Sequence, residues 1–390
     1  MSTFDQVITR LGTNSEKWDG AEKLFGRKDL LPMWVADMDF KAPDVVIEAL
    51  HKRAESGVFG YELIPDSLPK AIIEWNKNRH NYVIKKESLF YNVAVVPSIS
   101  LLIRALTKEG DGVLMHSPIY HPFFKVTKAT RRQVVMSPLR YEDGQYQIDL
   151  EDMEKRIREE NVKLFLLCNP QNPGGRCYSK EELQAIARLC ATYNIPIVSD
   201  EIHSDLVMKQ YKHIPLAVAA PDYEYEIITL MAPTKTFNLA AIKASYFIIT
   251  NPDYQEKVRA EQAYMSQPDL NAFAIAGMEA AYTGGAEWLD ELRDYIYDNY
   301  LYVKKALHEA LPEITVTELQ ATYLMWLDCR SFESDEKTIY QNLIDEGVGV
   351  QMGSTFGLSG KKFVRLNIAC PRETLKKGTA ALIAGLKKNK

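Results

Sequence analysis

Short apolar runs that end in polar residues recur along most of this chain, separated by longer stretches in which apolar and charged positions mix. The runs at 113–115, 133–136, 164–168, 195–199, 227–231 and 245–249 are too short for buried helices and rich in aliphatic and β-branched residues, which predicts strands. The longer stretches predict helices. Residues 43–56 begin with Pro43 in the first turn and end at Gly57; 66–80 follows; 98–108 is closed by Gly110. Ser179-Lys180-Glu181-Glu182 is a capping box that opens a helix over 180–193. Strands alternating with helices from about 90 to 250 predict an α/β fold, a mostly parallel sheet with helices on both faces.

The pattern changes beyond 253. Helical stretches cover 252–282 and 287–311, strands are predicted at 315–319, 323–328 and 363–368, and helices at 336–346 and 372–387. That reads as a smaller α+β domain. The expected organisation is an N-terminal segment, 1–45, joining the small domain, a large domain over 46–284, and a small C-terminal domain over 285–390.

Composition narrows the function classes. A hydrophobic content of 46% with 25% charged residues is that of a soluble globular protein. The net charge of −5 gives no broad basic surface, so a nucleic-acid partner is not expected. The apolar runs are far too short to span a bilayer, and the N-terminus lacks an apolar signal core, so no membrane role and a cytoplasmic location are expected. The five cysteines are odd in number, scattered and without a CxxC pair, which fits incidental thiols in a reducing compartment; no metal site is expected.

The candidate chemistry lies where the predicted strands end. Asp200-Glu201-Ile202-His203 follows the run at 195–199, and Pro233-Thr234-Lys235-Thr236-Phe237-Asn238 follows the run at 227–231. Strand ends are where open α/β sheets bind ligands. A lysine and a carboxylate placed this way suit pyridoxal phosphate, which takes a lysine as a Schiff base and an acid that keeps its ring nitrogen protonated. Burial lowers a lysine pKa, which frees the amine to attack an aldehyde and later to move a proton. Taken alone, Asp200 is equally readable as a helix cap or a loop anion. Glu201 is expected to point away from Asp200, because successive strand-end residues alternate faces. Asn169-Pro170-Gln171-Asn172-Pro173-Gly174-Gly175 is a turn on any reading.

Asn172-Pro173-Gly174-Gly175, Asp200-Glu201-Ile202-His203, Thr234-Lys235-Thr236-Phe237-Asn238 and Phe363-Val364-Arg365-Leu366-Asn367, in this order and spacing, resemble the fold-type I, class I/II aminotransferase superfamily over essentially the whole chain. Trp34-Val35-Ala36-Asp37-Met38-Asp39-Phe40, Phe59-Gly60-Tyr61 and Arg365–Pro371 are similar to its MalY/PatB branch, which contains cystathionine β-lyases and other C–S lyases.

The resemblance implies roles for single residues. Lys235 matches the Schiff-base lysine, Asp200 the partner of the pyridine nitrogen, and Asn172 the donor to the ring oxygen. His203 stands where most relatives have a tyrosine serving that oxygen. Tyr120 matches the aromatic stacked on the ring. The phosphate is expected at the N-terminus of the helix beginning near Ser98, with Val95 and Val96 in the turn that supplies amides, and with the hydroxyl of Thr234. Tyr61 matches a tyrosine that reaches the phosphate of a neighbouring subunit, which implies a homodimer with a shared active site. Arg365 matches the clamp on the substrate α-carboxylate, where a bidentate pair needs a guanidinium, and Ala36 aligns with a small residue whose backbone approaches the same group. The chain departs from the superfamily pattern at Ala94, Ala232 and Lys243, where glycine, serine and arginine are common. Asp37 and Asp39 are expected to make helix-cap or loop contacts.

The expected activity is that of a pyridoxal-phosphate C–S β-lyase acting on cystathionine or related S-substituted cysteines. The alternative is an aminotransferase, which starts from the same carbanion and uses the same residues. A regulatory protein retaining fold and cofactor is a third reading, disfavoured because every catalytic position is filled.

Overall fold

The computed structural model of the chain describes residues 2–267 and 269–389. The main sheet has seven strands: β1 (Leu89–Asn92), β2 (Gly112–Ser117), β3 (Gln133–Pro138), β4 (Val162–Cys168), β5 (Ile197–Asp200), β6 (Ile227–Met231) and β7 (Ser245–Ile249). Their spatial order is β1-β7-β6-β5-β4-β2-β3. The strands from β3 across to β6 are parallel, and β7 is antiparallel to both its neighbours. The reversal has a local cause. Between β6 and β7 the chain makes only the single turns Pro233–Thr236 and Ala240–Ile242, too little to carry it back across the sheet for a parallel return.

Alternate residues of each central strand enter two separate cores. On one face Val113, Met115, Leu164, Leu166 and Ile228 pack with Ile99 and Leu102 of the helix Val95–Leu106. On the other, Leu114, Phe165, Leu167 and Ile197 pack with the helices Ser67–His80, Lys180–Thr192 and Ala272–Gly284. Both faces are covered, so the strands read as nearly continuous apolar runs rather than as alternation.

A second sheet is antiparallel and lies after residue 310. Its strands β8 (Thr315–Val316), β9 (Leu324–Asp328), β10 (Gln351–Met352) and β11 (Phe363–Asn367) are ordered β8-β9-β11-β10. The N-terminal segment joins this unit: Leu31–Pro32 pairs in parallel with Val348–Gly349, the Met33 carbonyl accepts from the Asn367 amide at 3.0 Å, and the Asp39 amide donates to Ala369 at 2.9 Å.

The elements differ from expectation in a few informative places. The stretch 252–282 is two helices, Pro252–Tyr264 and Ala272–Gly284, the second capped by the Asn271 side chain on the Ala274 amide; Pro268, between them, lies outside the described residues. The helix expected over 98–108 starts three residues earlier, at Val95, and ends at Leu106. The strand expected over 315–319 is two residues long. Asp37 and Asp39 do not cap helices. Arg10 bridges both at 2.8 Å, and the buried Asp39 also takes Lys17 Nζ at 2.7 Å and Trp18 Nε1 at 2.9 Å. These four bonds between residues distant in sequence thus lock the first turns of the chain onto the segment that carries Ala36.

Candidate active site

A cavity of about 250 Å3 opens at the carboxyl ends of β2, β4, β5 and β6. Ala36, Val95, Val96, Tyr120, Asn172, Asp200, His203, Thr234 and Lys235 all line it, together with Cys168, Ile202 and Lys243. Nine residues named from sequence are therefore brought to one place, each from a loop that follows a parallel strand, from the helix start at Val95, or from the N-terminal segment. Arg365 stands at the edge through its bond to Asn172. Tyr61 is elsewhere: its side chain is fully exposed, in a loop with exposed Val58, Phe59 and Leu63.

Each wall has a local explanation. The turn after β4 is closed by Gln171, whose side chain accepts from the Gly174 amide at 2.5 Å and donates to the Pro118 carbonyl at 2.7 Å, so it also fixes the loop carrying Tyr120. After β5, one oxygen of Asp200 accepts from the Ile202 amide at 3.1 Å. Glu201 leaves the cavity altogether. It is buried against Ser199, the Leu216 amide and His213, at 2.8, 3.0 and 2.8 Å.

Burial sets the ionisation of the site. It pushes the Asp200 carboxyl up to about 7, against the Ile202 amide, which favours the anion. It drives Lys235 down to about 8, with Asp37 opposing and Arg365 assisting. It drives His203 down to about 3, helped by the charges of Lys235 and Arg365, so the imidazole is neutral. Burial also pushes the Cys168 thiol up, which leaves it without thiolate character.

Arg365 on β11 is buried and has no carboxylate partner among the described residues. Its guanidinium donates to the Asn172 side-chain oxygen at 3.1 Å, to the Trp34 carbonyl at 2.9 Å and to Gln351, and lies 4.8 Å over the Phe356 ring. Its Nε is buried without a partner. A guanidinium only donates, so it fixes the Asn172 amide with its oxygen toward Arg365 and its NH2 free of any partner among the described residues.

The cavity thus presents a set of unmet hydrogen-bond capacities. One Asp200 oxygen, the Asn172 NH2 and the buried Nδ1 of His203 lack partners among the described residues. The helix starting at Val95 has no side-chain cap, so the first-turn amides of Val95 and Val96 are open. The exposed Lys243, held in the left-handed region at φ 59°, adds a cation without an ion pair among the described residues. These groups fit a ligand with a cationic ring N–H for Asp200, an oxygen acceptor for Asn172, and an anion for the helix start.

The Ala36 carbonyl accepts Lys235 Nζ at 2.5 Å and the Tyr323 hydroxyl at 2.9 Å. Tyr323 was not singled out from sequence, because it opens an apolar strand and reads there as core. Two asparagines also went unremarked. Asn367 donates to the carbonyls of Val35 and Asp37, and Asn238 both accepts from the Met38 amide and donates to Met38 and Phe40, so the segment at 34–40 is clamped from two sides.

Comparison with known proteins follows the same lines. The model of the family described as aminotransferase class I and II matches residues 28–382. Cystathionine beta-lyase PatB of Bacillus subtilis is 39% identical over 98% of this chain and 99% of its own length. Protein MalY of Escherichia coli is 36% identical over 99% of each. A PLP-bound C–S lyase from Staphylococcus hominis superposes with a TM-score of 0.93 at 32% identity, over 99% of this chain and 98% of the other.

Proposed function

The chain belongs to the aminotransferase class I and II family, and on that footing we propose that it is a pyridoxal-phosphate-dependent C–S β-lyase acting on cystathionine or related S-substituted cysteines. The carrying observation is Arg365: a buried guanidinium with an unpartnered Nε and no acid opposite it needs an anion from outside, and an amino-acid carboxylate suits it.

In this reading the ligand of the cavity is pyridoxal 5'-phosphate. Asp200 would take the ring N–H, Asn172 and His203 would serve the ring oxygen, and Tyr120 would flank the ring. The open amides of Val95 and Val96, the Thr234 hydroxyl and Lys243 receive the phosphate. The cofactor, when bound at Lys235, supplies an electron sink for the charge left on the substrate α-carbon.

The chain's own groups do the rest. Arg365 orients the α-carboxylate. Lys235, whose amine is half free near pH 8, takes the α-proton. The C–S bond breaks with its electron pair on sulfur, which leaves as a thiol once protonated. The three-carbon enamine left behind is hydrolysed to pyruvate and ammonia. An aminotransferase would instead return the proton to the cofactor; the likeness to a cystathionine β-lyase and a C–S lyase over the full chain favours elimination.

The sulfur substituent has a place on this chain. Trp34 and Gln351, both ligands of Arg365, also line a hollow of about 600 Å3 with Leu24, Phe25 and Tyr340. We assign the substituent to it.

Two further statements belong to this proposal. Tyr61, fully exposed on its own chain, reaches the phosphate of a second copy, so the working unit is a homodimer. The enzyme works in the cytoplasm; among the described residues no helix is long and apolar enough to cross a membrane. The deciding assay is pyruvate release from cystathionine without a keto-acid acceptor. Strict dependence on an acceptor would overturn the lyase reading.

A further inference from the structure

We infer that Asp205 is a positioning residue for Lys235, acting through Thr236; the inference rests on the reading of Lys235 as the residue that carries the cofactor and moves the proton. Asp205 is buried beside the cavity without lining it. One of its oxygens accepts from Trp75 Nε1 at 3.0 Å and from His80 Nε2 at 2.9 Å; the other accepts from the Thr236 hydroxyl at 2.9 Å. Burial disfavours the carboxylate, and the bonds from His80, Thr236 and Trp75 outweigh it, so the group stays ionised.

Three elements meet at this one carboxylate. Trp75 and His80 belong to the helix Ser67–His80. Asp205 itself sits in the loop that carries Asp200 and His203, and the Leu206 amide bonds back to the His203 carbonyl at 3.0 Å. Thr236 closes the single turn Pro233–Thr236, which bears Lys235. That turn is short and has no side-chain cap. Among the described residues its other side-chain hydrogen bond to the body is the one from Lys235 to Ala36, and that bond is given up whenever the lysine does chemistry. The Thr236–Asp205 bond is the tie that persists while Lys235 moves. It holds the lysine backbone in register with His203 and Asp200.

A carboxylate only accepts, so the Thr236 hydroxyl must donate, and valine at this position keeps the shape but removes the tie. Three holoproteins test the inference: Thr236→Val, Thr236→Ser and Asp205→Asn. In Thr236→Val, kcat should fall about tenfold while KM for an S-substituted cysteine stays within about twofold, as expected of a reacting group displaced by a fraction of an ångström. Thr236→Ser should stay within about twofold on both constants. A second readout is the pH midpoint of the visible absorption band of the holoprotein, which should move in Thr236→Val and not in Thr236→Ser. Asp205→Asn should show the larger loss of kcat. Because Asp205→Asn can fail to fold, the threonine pair decides. Unchanged kcat and midpoint in Thr236→Val would overturn the inference, and so would equal losses in the valine and serine variants. If the wild type forms no pyruvate at all, the lyase reading fails, while the absorption midpoint still reports on the tie.

Discussion

Lys235 and Tyr323 share one acceptor, the carbonyl of Ala36, which stands 2.5 Å from the lysine nitrogen and 2.9 Å from the tyrosine hydroxyl. Lys235 lies in the turn after β6, Tyr323 just before β9 of the second sheet, and the acceptor in the N-terminal strap, so this carbonyl joins three segments at the reacting amine. Tyr323→Phe removes one donor and leaves the lysine in place. We expect a loss of about 1 kcal/mol in stability, the usual contribution of a buried hydrogen bond. We also expect a severalfold fall in kcat as the carbonyl loosens. Melting curves and initial rates check both, and a variant identical to wild type in each would show that the tyrosine does not hold Ala36.

Asp200→Asn should retain cofactor and lose about tenfold to hundredfold in rate, because an amide cannot keep the ring nitrogen charged and a charge-assisted hydrogen bond contributes roughly 1.5–3 kcal/mol. Near-normal kinetics would remove Asp200 from that role.

The same carboxylate makes a separate prediction for the cofactor-free protein. Its folded pKa of about 7 lies above the ordinary 3.8, so the folded state binds the extra proton between these values. The stability it contributes is complete at low pH and is lost as pH rises through about 7, by an amount on the order of 4 kcal/mol. Denaturant titrations of apoprotein at pH 5 and pH 8 should show the part of that loss between them, about 3 kcal/mol, in wild type and not in Asp200→Asn. Addition of cofactor at pH 8 should restore the wild type. Equal pH dependence of the two apoproteins would contradict the assignment.

Arg365→Lys keeps a positive charge and loses the planar fork. The α-carboxylate is then held by a point charge, and the α C–H bond is no longer aligned. Both kcat and apparent affinity should fall, with cofactor content unchanged. An unaltered kcat/KM on cystathionine would place the substrate elsewhere.

Tyr61 allows a test by complementation. If its hydroxyl serves the partner's phosphate, a mixed dimer of Tyr61→Phe and Lys235→Ala chains carries both defects in one site and none in the other. Partial activity should appear when the two inactive or weakened samples exchange subunits. A fully active monomer at assay concentration would exclude the shared site.

Sequence reading reached the parallel sheet and the strand-end loops because both are local. Apolar runs as short as Ile227–Met231 leave little choice of element, and chemistry gathers where they stop. It placed the helix after β1 at Ser98 instead of Val95, because Val95 and Val96 have no capping side chain before them and valine carries no helix-start signal. It left Asp37 and Asp39 between helix caps and loop contacts and could not name their partners, because Arg10 and Lys17 lie 20 or more positions away with no periodicity linking them. Tyr323 and Asn367 were invisible for the same reason: each acts on the backbone of a segment hundreds of residues earlier.

The strap that carries Ala36 has a consequence for the order of events in the cell. Trp34 meets Arg365 at a separation of 331 positions, and residues from 347 to 369 supply further backbone bonds to the segment at 31–39. A chain leaving the ribosome can assemble its parallel sheet and the turn bearing Lys235 long before these residues exist. Until the last strand is made, the substrate clamp is absent and the strap lacks its partners from 347 to 369. An unfinished chain therefore cannot gain the completed site, which closes only after synthesis has passed residue 369.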